Sequence, residues 1–202
     1  MKTITDMLTQ EQTQLITILR SLIQIPESEA TQAASLFQTH ILKQGEFFIR
    51  AGDVPHTIGF VISGILRLYY IDPDGNEFTK SFCAENSFVA AYSALLMRQP
   101  SRLFIQALED AKVSIADYSA YRSLSESQAG LQQLNCKIAE FLFIKKEWRE
   151  SALLLDDAKT RYLSFLEEHP GLEVRLKQHH IASYLGITPV TLSRIRARLK
   201  SH

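Results

Sequence analysis

The stretch that decides the fold is residues 178–197, QHHIASYLGITPVTLSRIRA. Its apolar side chains stand where two short crossed helices need them to share one core, at positions 4, 8, 10, 15 and 18 of the stretch. These residues are Ile181, Leu185, Ile187, Leu192 and Ile195. Ala182 falls where the helices approach most closely, and Gly186 falls at the turn, where a positive φ costs glycine little. The pattern predicts a helix-turn-helix.

The second helix of this pair has a recognisable beginning. Thr188 fits the N-cap, and Pro189 fits the first turn, where a missing N–H costs nothing. One group of side chains is left facing outward and is predicted to enter the major groove of duplex DNA: Thr188, Pro189, Val190, Ser193 and Arg194. Among these, Arg194 suits a bidentate contact with guanine. A second group is predicted to bind phosphates: Thr191, Arg196, Arg198 and Lys200.

The charge distribution favours a polyanion partner for this end of the chain. Six of the 22 basic side chains lie in residues 175–202, which hold no Asp or Glu, so residues 1–174 carry 16 basic and 22 acidic side chains. A basic segment on an acidic body is typical of a nucleic-acid-binding module, although a solvated basic helix has the same charge pattern.

Upstream of the basic segment, apolar residues recur at heptad a and d positions and predict a helix of about 25–30 residues. Ser127 and Lys145 break the pattern. The apolar seam packs either on the chain's own barrel or on the same helix of a second subunit, and the second case predicts a parallel homodimer. The candidate dimer-interface residues are Leu124, Leu131, Leu134, Ile138 and Phe141.

Residues 39–118 have a different character, with short Ile-, Val-, Phe- and Tyr-rich runs separated by Gly and Pro. Many short strands at this spacing indicate a β-sandwich or jelly-roll barrel, and Asp72–Asn76 is a strong hairpin connection. Residues 3–25 and 28–38 are predicted to be helical, and Phe88–Met97 is predicted to be a short helix set into the barrel. The fold class is therefore α+β, with a helical N-terminus and jelly-roll at 1–118, a long helix at 119–150 and a helix-turn-helix domain at 151–202.

In this order, a small jelly-roll, a long helix and a C-terminal helix-turn-helix resemble the Crp/Fnr regulators. The resemblance covers nearly the whole chain and rests on four segments: Ile41–Glu46 with Ala51–Asp53, Gly59–Arg67, Ile181–Ile187 and Leu192–Arg196. It implies a cytoplasmic homodimer that binds double-stranded DNA to regulate transcription, with RNA polymerase as a further candidate partner. It also implies a small-molecule effector in the barrel, whose identity the sequence does not give.

The chain departs from the cyclic-nucleotide-binding members of that family. Their phosphate cassette has a Gly-Glu pair and, about ten residues on, an Arg that neutralises the cyclic phosphate. Here the first slot reads Ala90-Ala91 and the Arg slot reads Ser101, with Arg102 one place late and therefore on the opposite face of a strand. We predict no tight binding of cyclic AMP or cyclic GMP, although Glu85 and Arg102 leave a shifted cassette open. The family's β-hairpin wing is also missing from a sequence that ends at His202, which predicts that its contacts with the DNA backbone are weaker or are supplied by other residues.

Two other classes of function are alternatives to a DNA-binding regulator. One is an effector-binding jelly-roll module whose helical C-terminus mediates protein contacts. The other is a metal-dependent jelly-roll enzyme, which would need a His-x-His set, whereas the barrel segment holds only His40 and His56. We therefore predict no enzyme activity, no catalytic residue, no metal and no cofactor. Cys83 and Cys136 have no CxxC partner, and no secretory signal or membrane span is visible, so a cytoplasmic location is expected.

Overall fold

A computed structural model describes residues 8–200, which form two compact units. The first comprises the residues up to Leu68 together with Phe82–Phe141, and the second comprises Tyr69–Ser81 and the residues from Leu142 onward. Residues 3–7 of the predicted first helix and the last two residues of the predicted third domain lie outside the described range. The predicted boundaries at 118 and 150 stay predictions.

The helices and strands follow the predicted order of a β-rich centre between helical ends. The helices are α1 (Gln10–Leu22), α2 (Glu27–Ser35), α3 (Tyr92–Met97), α4 (Tyr118–Glu126), α5 (Ala129–Leu155), α6 (Ala158–Glu168), α7 (Leu172–Arg175), α8 (Gln178–Leu185) and α9 (Pro189–Lys200). The strands are β1 (Gln38–Leu42), β2 (Phe47–Ile49), β3 (Thr57–Ser63), β4 (Leu66–Ile71), β5 (Glu77–Cys83), β6 (Phe88–Val89), β7 (Phe104–Ala107) and β8 (Ala111–Asp117).

The strands form the predicted jelly-roll. One four-stranded sheet has the order β1-β8-β3-β6 and the other has the order β2-β7-β4-β5. In the first sheet the antiparallel register places Gly59 opposite Ile115 and Val61 opposite Val113. Apolar side chains from both sheets share one core, which includes Val61, Leu66, Ile105 and Val113. Because this core is packed with side chains, the barrel is held together mainly by burial of apolar surface.

The segment predicted as one short helix, Phe88–Met97, divides into two elements. Phe88 and Val89 pair with β3 as strand β6, and the helix α3 begins only at Tyr92. Ala94 and Leu95 of α3 are buried, whereas its other large side chains are exposed. The small residues Ala90 and Ala91 between the two elements allow this change of backbone direction. The sequence did not predict it, because the apolar residues of this segment show neither the helical nor the strand repeat.

A second core in the first unit forms between the N-terminal helices, α4 and the first turns of α5. Leu131 and Leu134 of α5 are fully buried there, and Leu124 and Ile138 pack against them. Leu131 and Leu134 thus pack within the protomer, because a side chain with no exposed surface offers nothing to a second subunit, whereas Leu124 and Ile138 are only partly buried. The seam also spans two helices rather than one, since α4 ends at Glu126, Ser127 is its C-cap, and α5 begins at Ala129.

The second unit contains α6 to α9, the C-terminal turns of α5 and the hairpin segment Tyr69–Ser81. Asp157 caps α6, because its carboxylate accepts a hydrogen bond from the Thr160 N–H at 2.7 Å. The hairpin turns as predicted, with the Asp72 carboxylate accepting hydrogen bonds from the Asp74 and Asn76 N–H groups. None of the helices within residues 8–200 combines the length and apolarity that a bilayer crossing requires.

Candidate nucleic-acid interface

The turn between α8 and α9 has the geometry that the sequence predicts. Gly186 adopts a left-handed conformation (φ 67°, ψ 35°), and the N–H groups of Gly186 and Ile187 donate to the carbonyls of Ser183 and Ala182. These two bonds satisfy carbonyls at the end of α8 and turn the chain sharply toward α9. A side chain other than glycine would be strained at this φ.

The start of α9 is fixed by two further hydrogen bonds. The Thr188 hydroxyl accepts from the Thr191 N–H at 3.2 Å, as expected of an N-cap, and Pro189 is the first helical residue. The Gln178 side-chain amide donates to the Pro189 carbonyl at 2.6 Å, which ties the beginning of α8 to the beginning of α9. Both ends of α8 are therefore tied to the beginning of α9.

The residues that the pattern assigned to the shared core are inside. Ile181, Ala182, Leu185 and Leu192 are buried, while Ile187 and Ile195 are partly buried at the edge. With these apolar residues inside, the first two turns of α9 present the opposite set of side chains to solvent: Thr188, Pro189, Val190, Ser193 and Arg194 are all exposed. Within residues 8–200 the Arg194 guanidinium has no ion-pair partner, so it is available to a ligand.

The structure corrects the predicted role of Arg196. Its guanidinium lies 2.9 Å from the Glu173 carboxylate and donates to the Tyr162 hydroxyl at 3.1 Å. Tyr162 also donates a hydrogen bond to Glu173, and burial raises the pKa of this phenol, so it stays protonated. Arg196 is thus committed to holding α9 against α6 and α7, which removes it from the predicted phosphate contacts. Arg198 and Lys200 are exposed, and Thr191 is half-buried.

Lys177 and His179 belong to the candidate interface although they were not predicted. Both are exposed at the beginning of α8, the first helix of the pair. In helix-turn-helix proteins the first helix crosses the DNA backbone, so cationic or hydrogen-bonding side chains at its start meet phosphates. The signal that could have found them is this rule together with the basic charge of residues 175–202.

Two arginines from outside the helix-turn-helix donate hydrogen bonds to the C-terminus of α8. Arg149 of α5 donates to the Tyr184 carbonyl at 2.7 Å, and its guanidinium lies 3.9 Å from the centroid of the Tyr184 ring. Arg161 of α6 donates to the Leu185 carbonyl at 3.0 Å. Cations at the end of a helix satisfy its last carbonyls and interact favourably with its dipole. These two positioning roles are non-local and carry no signature in the sequence.

The hairpin segment of the second unit also contacts α8. The Ser183 hydroxyl accepts a hydrogen bond from the Thr79 N–H and donates one to the Glu77 carbonyl, both at 2.9 Å. Strand β5 is at the edge of its sheet, so these backbone groups face away from β4. Ser183 therefore occupies hydrogen-bonding positions that a further strand would otherwise use.

The residues of the predicted effector pocket do not converge on a phosphate site. Ala91 is buried in the barrel core, and the Ser101 hydroxyl is occupied by the backbone N–H and carbonyl of Leu103, each at 2.9 Å. Arg102 is exposed next to the buried Ser101, but both residues precede β7 rather than lying in a strand, and a Glu85 oxygen accepts the Gly64 N–H at 2.9 Å. Ala90 is half-buried and supplies no charge. Among the five predicted residues Arg102 is the one that could neutralise a phosphate, and it is exposed.

Comparisons with known proteins agree with this architecture. A family model described as the cyclic nucleotide-binding domain matches residues 39–128. The anaerobic regulatory protein of Pasteurella multocida is 27% identical over 172 residues, which are 79% of this chain and 62% of that protein. The chain thus spans less than two thirds of the length of this relative.

Two solved structures show the same fold. FixK2 from Bradyrhizobium japonicum superposes with a TM-score of 0.68 at 21% identity, covering 82% of this chain and 85% of its own. The catabolite activator protein of Thermus thermophilus superposes with a TM-score of 0.58 at 20% identity, covering 91% and 87%.

This order of a jelly-roll, a long helix and a helix-turn-helix is the fold that the chain shares with both solved structures. Residues 39–128 match the cyclic nucleotide-binding domain model, and the relative that is 27% identical is named a regulatory protein. The relatives named above are regulators rather than enzymes.

Proposed function

We propose that this protein is a sequence-specific DNA-binding transcription regulator that acts in the cytoplasm as a homodimer and does not respond to cyclic AMP. The observation that carries the proposal is the exposed surface at the start of α9, from Thr188 to Arg194, which holds no acidic side chain. Hydrogen bonds fix this start of α9 and tie it to α8. A helix held in this way can enter a major groove and keep its side chains in register with base edges.

In this proposal the two groups of side chains have different tasks. Arg194 reads a base, because a guanidinium matches the two acceptors of guanine, and Val190 and Pro189 contact a thymine methyl. Lys200, Arg198, Lys177 and His179 lie on the flanks and bind phosphates, which fixes position without reading sequence. Arg196 takes no part, because its partner is Glu173.

The homodimer is proposed to form through the exposed later turns of α5, where the predicted heptad pattern continues past the buried Leu131 and Leu134. Phe141, Ile144, Trp148 and Leu155 are exposed and follow one another at intervals of three, four and seven residues, which is the heptad spacing. Trp148 is 73% exposed, an unusual state for the largest apolar side chain. Of the five residues first assigned to the interface, Phe141 alone lies on this stripe.

The proposed lack of a cyclic AMP response is supported by contacts within the protein that occupy the Ser101 hydroxyl and one Glu85 carboxylate oxygen. Calorimetric titration tests it directly. Micromolar affinity for cyclic AMP would overturn this part of the proposal. The proposed partner at a promoter is RNA polymerase, which this measurement does not require.

Selection of binding sites from random duplex DNA at a stated salt concentration tests the regulator itself. Because a dimer of helix-turn-helix domains contacts half-sites about one helical turn apart, we expect a two-fold symmetric site with centres about 10–11 base pairs apart. Recovery of no enriched sequence would contradict specific recognition. Enrichment of a single half-site would contradict the dimer but leave the reading helix in place.

A further inference from the structure

A pocket on the first unit lies beside α3, the helix between the two predicted cassette slots, Ala90-Ala91 and Ser101. It has a volume of about 240 Å³ and lies between α3, the connection from β2 to β3, and α4. Its apolar wall is formed by Val54, Pro55, Leu95 and Leu96. Val54 and Leu96 are about half exposed, so this wall offers apolar surface to the hydrocarbon part of a small organic molecule.

The polar side of the same pocket is cationic. Arg98 at the end of α3 and Arg122 on α4 both line it. Arg122 pairs with Glu126 one helical turn away, but both side chains are more than half exposed, so the pair is weak and exchangeable. The Arg98 guanidinium has no ion-pair or hydrogen-bond partner anywhere in the part of the chain that the structure describes.

Hydrogen-bond donors complete this side of the pocket. Tyr118 and Ser119, the first residues of α4, line the pocket and carry hydroxyl groups, of which that of Tyr118 also hydrogen-bonds to Tyr92. Burial raises the pKa of the Tyr118 phenol, so it is neutral at physiological pH and does not repel an anion. The pocket thus pairs an apolar wall with two guanidinium groups and neutral donors.

Arg98 occupies a backbone position that suits glycine better. It has φ 52° and ψ 45°, the left-handed conformation, at the C-terminus of α3. The N–H groups of Arg98 and Gln99 donate to the carbonyls of Leu95 and Ala94, the bonding pattern of a helix end that usually carries glycine. Glycine would avoid the conformational cost of this position. The presence of arginine there indicates that its side chain has a function.

We propose that this pocket binds a small organic anion, namely a carboxylate with a compact apolar body, whose charge is met by Arg98 and Arg122. The apolar body lies against Leu95, Leu96 and Val54, and the carboxylate accepts hydrogen bonds from the guanidinium groups. Arg is suited to this role because its planar donors match the two oxygens of a carboxylate.

The probe for the test is 2-naphthoate, with the neutral 2-naphthamide as its matched control, titrated into the full chain by ligand-observed NMR without DNA. We expect saturable binding of the acid and at least about tenfold weaker binding of the amide, because a charge-assisted hydrogen bond is lost. Binding should weaken at high salt. Since no DNA is present, the result is independent of the proposed regulator function.

The variant Arg98→Gly removes the cation and relieves the left-handed strain together. We expect at least about fivefold weaker binding of 2-naphthoate with a melting temperature no lower than that of the parent. Arg102→Ala, which removes an exposed arginine of the same unit that does not line the pocket, should leave binding unchanged. Absence of saturable binding, equal binding of acid and amide, or equal affinities of the two variants would each overturn the proposal.

Discussion

The Ser183 hydroxyl on α8 accepts a hydrogen bond from the backbone N–H of Thr79 on β5 at 2.9 Å. The same hydroxyl donates to the Glu77 carbonyl, so one side chain of the candidate DNA-reading unit satisfies two backbone groups of an edge strand. Arg149 adds a third bond, donating to the Thr79 carbonyl at 3.2 Å. The hairpin and the first helix of the helix-turn-helix are thus joined by specific polar contacts.

The variant Ser183→Ala should loosen this connection. Because a typical hydrogen bond contributes about 1 kcal/mol, we expect the Thr79 amide to exchange with solvent about fivefold faster. Native-state hydrogen exchange measures this directly. Ser193→Ala, at an exposed position of α9, is the matched control and should leave Thr79 unchanged. Equal protection of Thr79 in both variants would show that the contact is not formed in solution.

Arg196→Met tests the assignment of Arg196 to the domain's own packing. We expect a loss of about 1–3 kcal/mol in the free energy of unfolding, because the Glu173 carboxylate and the Tyr162 hydroxyl lose a charged donor. Denaturant titration measures the loss. The salt dependence of DNA affinity should stay as in the parent, since no phosphate contact is removed. If Arg196→Met instead lowered the salt dependence of DNA affinity and left the free energy of unfolding unchanged, Arg196 would be a phosphate contact, as the sequence pattern predicted.

Acid should destabilise the second unit through His169 and Glu168. Burial lowers the pKa of His169 below its ordinary 6.5, so the unfolded chain takes up a proton before the folded chain does. Burial opposes ionisation of Glu168, but the Lys145 ammonium 2.5 Å away prevails and lowers the pKa of that carboxyl below 4.5. Stability should therefore fall as pH decreases through 6.5, and fall again below 4.5.

The variant His169→Phe isolates the first of these two steps. The His169 ring lies among the rings of Phe165 and Tyr184, at centroid distances of 5.2 and 5.8 Å, so a phenyl ring can replace it. We expect the variant to lose the decline of unfolding free energy just below pH 6.5 and to keep the decline below 4.5. Equilibrium unfolding across this range measures both. An unchanged pH profile would contradict the assignment to His169.

Trp148→Glu should prevent subunit association. A carboxylate on the exposed stripe of α5 would be buried without a partner in the proposed homodimer, and such burial is costly. Light scattering after size exclusion should give the mass of a dimer for the parent and of a monomer for the variant. Leu131→Met, a volume-conserving change inside the protomer's own core, should leave the dimer intact. A parent that is monomeric at all concentrations would contradict the proposed interface.

The sequence predicted most accurately the features that local chemistry determines. The Gly186 turn, the Thr188 cap and the Asp72 hairpin each follow from what one or two side chains allow the backbone to do, and each is present. The heptad pattern found the long helix but not its partner, because apolar spacing is the same whether the seam faces the protomer's own core, as Leu131 does, or a second subunit.

The features that sequence reasoning missed depend on residues far apart in the chain. Arg196 looked like a phosphate contact because Glu173, which binds it, belongs to another helix. The cationic pocket unites three separate segments, and the left-handed Arg98 shows no sign in a sequence where glycine is the usual marker of that conformation. Such arrangements become visible only when packing has been determined.

Fluorescence anisotropy of the full chain with a duplex recovered by site selection tests the central claim most directly. The account predicts that Arg194→Ala costs about 1–3 kcal/mol and relaxes preference at one base pair. Lys200→Ala should instead weaken binding to all duplexes alike and reduce the salt slope by about 1. Absence of binding to any duplex in dilute buffer, or identical behaviour of the two variants, would contradict the account.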